Sequence, residues 1–83
     1  MEAEYVRNEY GEYLLLVRSE ILFPNWGFAI VYDDIFTYEG GFGVGNWAKV
    51  SEERIPYGTL RRLERVRERL EKLEAERMAE CED

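Results

Sequence analysis

The chain has 83 residues, with 18 acidic side chains against 11 basic ones, no histidine, and a formal net charge of −7. That length allows one domain with a small core and excludes an assembly of several domains. At 46% hydrophobic and 14% aromatic, the composition is too apolar for a disordered acidic chain.

The apolar run Tyr13 to Val17 is far short of the roughly 20 residues a membrane helix needs. Met1-Glu2-Ala3-Glu4 is acidic where a signal peptide is basic, so a cytoplasmic protein is expected. Cys81 is the single cysteine, which excludes an intramolecular disulfide, and without histidine it cannot build a zinc site. Its acidic neighbours Glu80 and Glu82 disfavour the thiolate. Arginine outnumbers lysine nine to two, as in thermophilic or GC-rich sources.

The first half reads as β-structure. Glu4 to Glu9 and Glu12 to Arg18 are strand-like, and Asn8 to Gly11 closes them into a hairpin. Pro24-Asn25 interrupts the chain before a third strand, Gly27 to Tyr32. Asp33-Asp34 turns it into a fourth, Ile35 to Tyr38, and a glycine-rich loop at Gly40-Gly41, Gly43 and Gly45 leads to a short fifth, Trp47 to Val50. Side chains alternate across a strand. Tyr13, Leu15 and Val17 therefore oppose Leu14 and Leu16, and Phe28, Ile30 and Tyr32 oppose Ala29 and Val31. Both faces are apolar, as in strands buried on both sides. One helix covers one face. The other is then either covered by loops carrying Phe23, Trp26 or Trp47, or left as an interface.

The second half reads as one helix over 57–80, with Pro56 in its first turn and a frayed acidic tail at 81–83. Leu60, Leu63, Val66, Leu70 and Leu73 recur at spacings of three and four and form one apolar stripe. Such a helix is about 36 Å long, whereas strands of five to seven residues reach about 17–23 Å. Its end therefore overshoots the sheet, and Arg77 on the stripe marks where the sheet stops supporting it. Residues 1–83 form a single α+β domain, a small antiparallel sheet of four or five strands followed by one long C-terminal amphipathic helix.

Charge is unevenly placed: −6 over residues 1–58, +2 over 59–77 and −3 over 78–83. Arg61, Arg65, Arg69 and Lys72 make a basic ridge on the helix, flanked by Glu64, Glu68 and Glu71. The net negative charge disfavours direct nucleic-acid binding. Glu9, Glu12, Asp33, Asp34 and Glu39, with Glu2, Glu4 and Glu20, are candidates for an acidic partner-binding surface, Leu14, Leu16, Val31, Trp26 and Trp47 for an apolar sheet-face surface, and the ridge Arg61, Arg65, Arg69 and Lys72 for contact with an acidic partner.

Chemistry-bearing motifs are weak. Gly43-Val44-Gly45-Asn46-Trp47-Ala48 matches a dinucleotide fingerprint, but Trp47 stands where its helix should begin. The plainer reading is a loop whose glycines supply positive φ or close backbone approach. Asp33-Asp34 suits a turn better than a catalytic pair or a cation site. No catalytic residue, metal or cofactor is expected.

The functional expectation is a non-catalytic protein-binding module. One form is a small acidic inhibitor, encoded by a virus or mobile element, that blocks a basic nucleic-acid-binding host protein. Small acidic inhibitors such as anti-CRISPR proteins are similar in size and charge, a likeness of class that rests on no shared residues. The alternative is a structural or adaptor subunit that homodimerises through the second sheet face or the helix overhang. An enzyme built on Asp33 and Asp34 is the remote third.

Overall fold

A computed structural model describes residues 1–31, 37–39 and 45–81, with 37–39 and 81 described by backbone alone. Its elements are β1 (Glu2–Asn8), β2 (Tyr13–Arg18), β3 (Phe28–Val31), β4 (Thr37–Glu39), β5 (Trp47–Lys49), a single 3-10 turn (Glu52–Arg54) and α1 (Tyr57–Cys81). The strands form one antiparallel sheet in the order β4-β3-β2-β1-β5, so the architecture is the expected α+β.

The first hairpin closes through Asn8. Its side-chain oxygen accepts the N–H groups of Tyr10 (3.0 Å) and Glu12 (2.9 Å), and its amide donates to the Glu12 carboxylate at 3.0 Å. Asparagine suits this position because its side chain mimics a backbone turn. Gly11 supplies the positive φ of 83° that the reversal needs. At its other end β2 passes into residues 19–27, a loop pinned by the Ser19 N–H to Gly27 carbonyl bond at 2.9 Å.

Register sorts the side chains into two layers. Tyr5, Leu15 and Val31 lie abreast, as do Ala3, Val17 and Ala29. These face α1 and form the main core with Leu63, Val66, Ile55 and the loop residues Leu22 and Phe23. Full burial of Leu63 and of Val66 contributes about 1.5–3 kcal/mol each before entropy is counted. Val6, Leu14, Leu16 and Ile30 form a smaller cluster on the opposite face, with Phe28 against it.

Several expectations are corrected here. Val31 pairs with Leu15, not Leu16, so it sits on the helix side, away from Leu14 and Leu16. Phe23 also packs on the helix side and does not cover the second face. Leu14 and Leu16 are only 1% and 3% exposed, so they are buried in the chain itself and offer no docking surface. The first strand starts at Glu2 because Glu2 and Ala3 find partners in Arg18 and Val17, a pairing that outweighs their weak local β-preference. As expected, by contrast, the segment after Gly45 is strand β5 and not a helix, so the dinucleotide fingerprint has no structural context. Gly45 has a φ of 74°, and a Cβ there would meet Glu9 Oε1 at 2.7 Å. Positive φ and close approach thus both operate at this glycine. Asp33, Asp34, Gly40, Gly41 and Gly43 lie outside the described residues.

The 25 residues of α1 make a rod of about 37 Å, in a molecule whose longest extent is 43 Å. Pro56 stands just before it, and its carbonyl accepts the Leu60 N–H at 2.9 Å. Burial along the stripe fades from Leu63 and Val66 through the partly buried Leu70 to the exposed Leu73. The overshoot is therefore present, but the end is tethered. Glu74 accepts bonds from Ser19 and from the Met1 amino group, and Arg77 donates to the Leu22 carbonyl at 3.5 Å. Arg77 marks the stripe's replacement by polar contacts with a loop, not the loss of all support.

Candidate functional site

Where the helix passes the end of the sheet, its last turns, the start of β1 and the 19–27 loop enclose an open cleft of about 610 Å³. Volumes of about 300–1,000 Å³ are typical of binding pockets. Ser19 organises its floor. The Ser19 hydroxyl donates to Glu74 Oε2 at 2.6 Å and accepts the Leu22 N–H at 3.1 Å. The Met1 amino group lies 2.9 Å from Glu74 Oε1. The Ser19 hydroxyl first, and the Met1 ammonium second, hold the Glu74 carboxyl below its ordinary pKa. Each oxygen of the Glu74 carboxylate thus has a donor of its own.

The walls are apolar and open. Ile21, Trp26 and Met78 line the cleft and are 37%, 52% and 45% exposed, while Phe28 is half-buried beside them. Leu22 and Phe23 pack into the core from the same loop, while Ile21 and Trp26 stay exposed and line the cleft. Three exposed large apolar side chains around one concavity are a feature of interaction sites, where tryptophan is enriched. Glu2, Glu20 and Arg18 stand at the rim; Arg18 reaches Glu4 at 3.8 Å.

A second hollow of about 290 Å³ lies between the sheet and mid-helix, lined by Tyr5, Glu52, Glu64, Arg67, Glu68 and Glu71. Burial pushes the Tyr5 hydroxyl pKa up, and its hydrogen bond with Arg67 partly offsets this. Arg67 also donates to Glu71 at 3.1 Å. The arginine thus bridges the core tyrosine to the helix surface and is held in its charged form, first by the Tyr5 bond. Among the described residues, no group of three or more metal-ligating side chains is placed to hold an ion, and no helix is long and apolar enough to cross a membrane.

The sequence candidates do not form one surface. Glu9 and Glu12 lie at the β1–β2 turn; Glu9 borders Gly45 and Glu12 is bonded to Asn8. Glu39 is on β4, three strand spacings or about 14 Å across the sheet from β1, and Asp33 and Asp34 lie outside the described residues. Trp47 pairs with Asn8 at the hairpin end, whereas Trp26 lines the cleft with Glu2 at the other end of β1, about 20 Å away. Arg61, Arg65, Arg69 and Lys72 are all exposed along about 16 Å of α1. Arg61 also approaches Glu64 at 4.0 Å and the Tyr57 ring at 5.9 Å. Of the cleft residues, Trp26 was a candidate for the apolar surface and Glu2 and Glu20 for the acidic one. Ile21 carried a signal, as an apolar residue beside the Pro24-Asn25 break. Ser19 and Glu74 carried none, because they meet across 55 positions of chain.

Compared with known proteins, the chain matches no protein-family model, no curated protein and no solved structure.

Proposed function

We propose that this protein is a non-catalytic protein-binding module whose contact surface is the cleft at the end of the sheet. The observation that carries this reading is the gathering of exposed Ile21, Trp26 and Met78 around one concavity, while the apolar cluster of the second sheet face is buried. A binding site needs a desolvated apolar centre with a polar rim, and Glu2, Glu20 and Arg18 provide such a rim. The net charge of −7 favours a partner with a basic surface, such as a nucleic-acid-binding protein blocked by an acidic inhibitor, because long-range attraction speeds encounter.

Photo-crosslinking tests the reading. A photoreactive residue at position 21 is expected to yield an adduct with one partner protein in cells of the source. Excess wild-type chain should compete it away, and excess Trp26→Ala, Met78→Glu chain should not. Adducts only with itself, or adducts equally competed by both chains, overturn the reading. The adaptor alternative draws on the exposed Leu73 and Met78 of the helix overhang. It is favoured instead if sedimentation shows a salt-resistant dimer that Met78→Glu dissolves.

A further inference from the structure

We propose that the cleft takes one large apolar side chain from an extended segment of a partner protein, flanked by a lysine or arginine that pairs with Glu2 and Glu20. This rests on the protein-binding reading above and specifies the chemistry of its occupant.

The charges at the rim divide by what already neutralises them. Glu74 is satisfied by Ser19 and the Met1 amino group, and Arg18 reaches Glu4. Glu2 and Glu20 are exposed, line the cleft and have no ion-pair partner among the described residues. An apolar centre bounded by two exposed carboxylates that form no ion pair among the described residues, with Arg18 opposite Glu2 already reaching Glu4, is complementary to an apolar side chain with a neighbouring cation. The alkyl stem of lysine or arginine can also lie along Ile21 or Met78 while its charge stays in water. An anionic segment would bring like charges together as it gave up water, which is unfavourable.

A second copy of the chain fits poorly. Symmetric pairing of two clefts would set Glu2 and Glu20 of each copy against those of the other. Pairing through the helix ends would use residues 73–81, about 13 Å of a rod some 10 Å wide. That footprint is several-fold smaller than the roughly 800 Å² per partner of a stable interface.

The test is a chemical-shift titration of the isotope-labelled full chain with capped peptides at low salt. The probes are acetyl-Arg-Leu-Phe-Arg-amide, acetyl-Glu-Leu-Phe-Glu-amide and acetyl-Arg-Gly-Ser-Arg-amide. The first is expected to shift the Trp26 indole and Gly27 amide while leaving the Trp47 indole in place. Two rim pairs of ordinary strength give about fivefold to tenfold preference over the acidic peptide. The Glu2→Gln, Glu20→Gln chain should lose that preference and keep its fold, since both side chains are exposed. The peptide without apolar residues should bind no better than the acidic one. Absence of shifts at millimolar peptide, equal binding of the acidic peptide, or shifts centred on Trp47 overturns the proposal. The crosslinking experiment judges the underlying reading separately. A competed adduct at position 21 with a failed titration keeps the binding module and rejects this occupant.

Discussion

Replacing Ser19 by alanine measures how far the helix end depends on one hydroxyl. Ser19 Oγ donates to Glu74 at 2.6 Å and accepts the Leu22 N–H at 3.1 Å. A bond to an ionised group contributes about 1.5–3 kcal/mol, and a buried N–H left unpaired costs about 1–3 kcal/mol. The two bonds share one oxygen and do not simply add, so Ser19→Ala should cost about 2–4 kcal/mol at neutral pH. Total stability for a chain of this length is on the order of 4–12 kcal/mol, so the change is large. The pH dependence has a defined sign. The Glu74 carboxyl is held below its ordinary value, first by Ser19, so the folded state favours the carboxylate. That stabilisation is present above the unfolded carboxyl pKa of about 4.3 and is lost as pH falls through the lower folded value. The gap between wild type and Ser19→Ala should therefore narrow in acid, leaving the part due to the Leu22 N–H. Urea unfolding at neutral and acid pH measures both quantities. Hydrogen exchange at residues 75–80 should also quicken in the variant, since the tether holds the overshooting turns. A variant within about 0.5 kcal/mol of wild type at neutral pH, or a gap that does not narrow in acid, refutes the reasoning.

Three further outcomes are expected. Leu63 is 1% exposed and Leu73 is 36% exposed, so urea unfolding should show a cost of about 2–5 kcal/mol for Leu63→Ala and below about 1 kcal/mol for Leu73→Ala; equal costs would mean that the overshoot is packed. Gly45→Ala should cost about 1–2 kcal/mol from its φ of 74° and the 2.7 Å approach to Glu9. In a Glu9→Ala background the clash is relieved but the backbone cost stays, so complete rescue in thermal melts would refute the φ argument. The raised pKa of Tyr5, caused first by burial, leaves stability intact below its unfolded pKa of about 10 and removes it as pH rises through the folded value. The phenolate absorbance of wild type minus that of Tyr5→Phe should therefore rise later than that of an ordinary tyrosine, and a normal midpoint would contradict the burial.

The charge distribution gains meaning from the topology. Among the described residues, the acidic side chains of the first half do not gather on one face: Glu9 and Glu12 sit at the hairpin turn, while Glu2 and Glu20 border the cleft at the other end. The basic ridge of α1 keeps its helical spacing whatever the sheet does, because its residues are set by one continuous helix. Arg67, between the acidic residues, does not belong to that ridge and turns instead to Tyr5 and Glu71.

What could be read along the chain was what neighbouring residues decide. Alternation in Tyr13–Arg18 and Phe28–Val31 required both faces of the sheet to be apolar, and both core clusters exist. The three-and-four spacing from Leu60 to Leu73 required one amphipathic helix, and its length required an overshoot. Asn8 and Gly11 specified the hairpin through their own backbone preferences. Only the tertiary structure decided which residues meet across the fold. Interstrand register moved Val31 to the helix side, because a shift of one residue exchanges the faces of a strand. The joining of Ser19 to Glu74, and the assembly of Ile21, Trp26 and Met78 around one cleft, depend on where the sheet ends beneath the helix. Local propensity reaches only a few residues along the chain, whereas the cleft is made by segments more than fifty positions apart. The −7 of the sequence thus set the sign of the molecule's field, and the fold placed Glu2 and Glu20 beside an apolar cleft with no ion pair among the described residues.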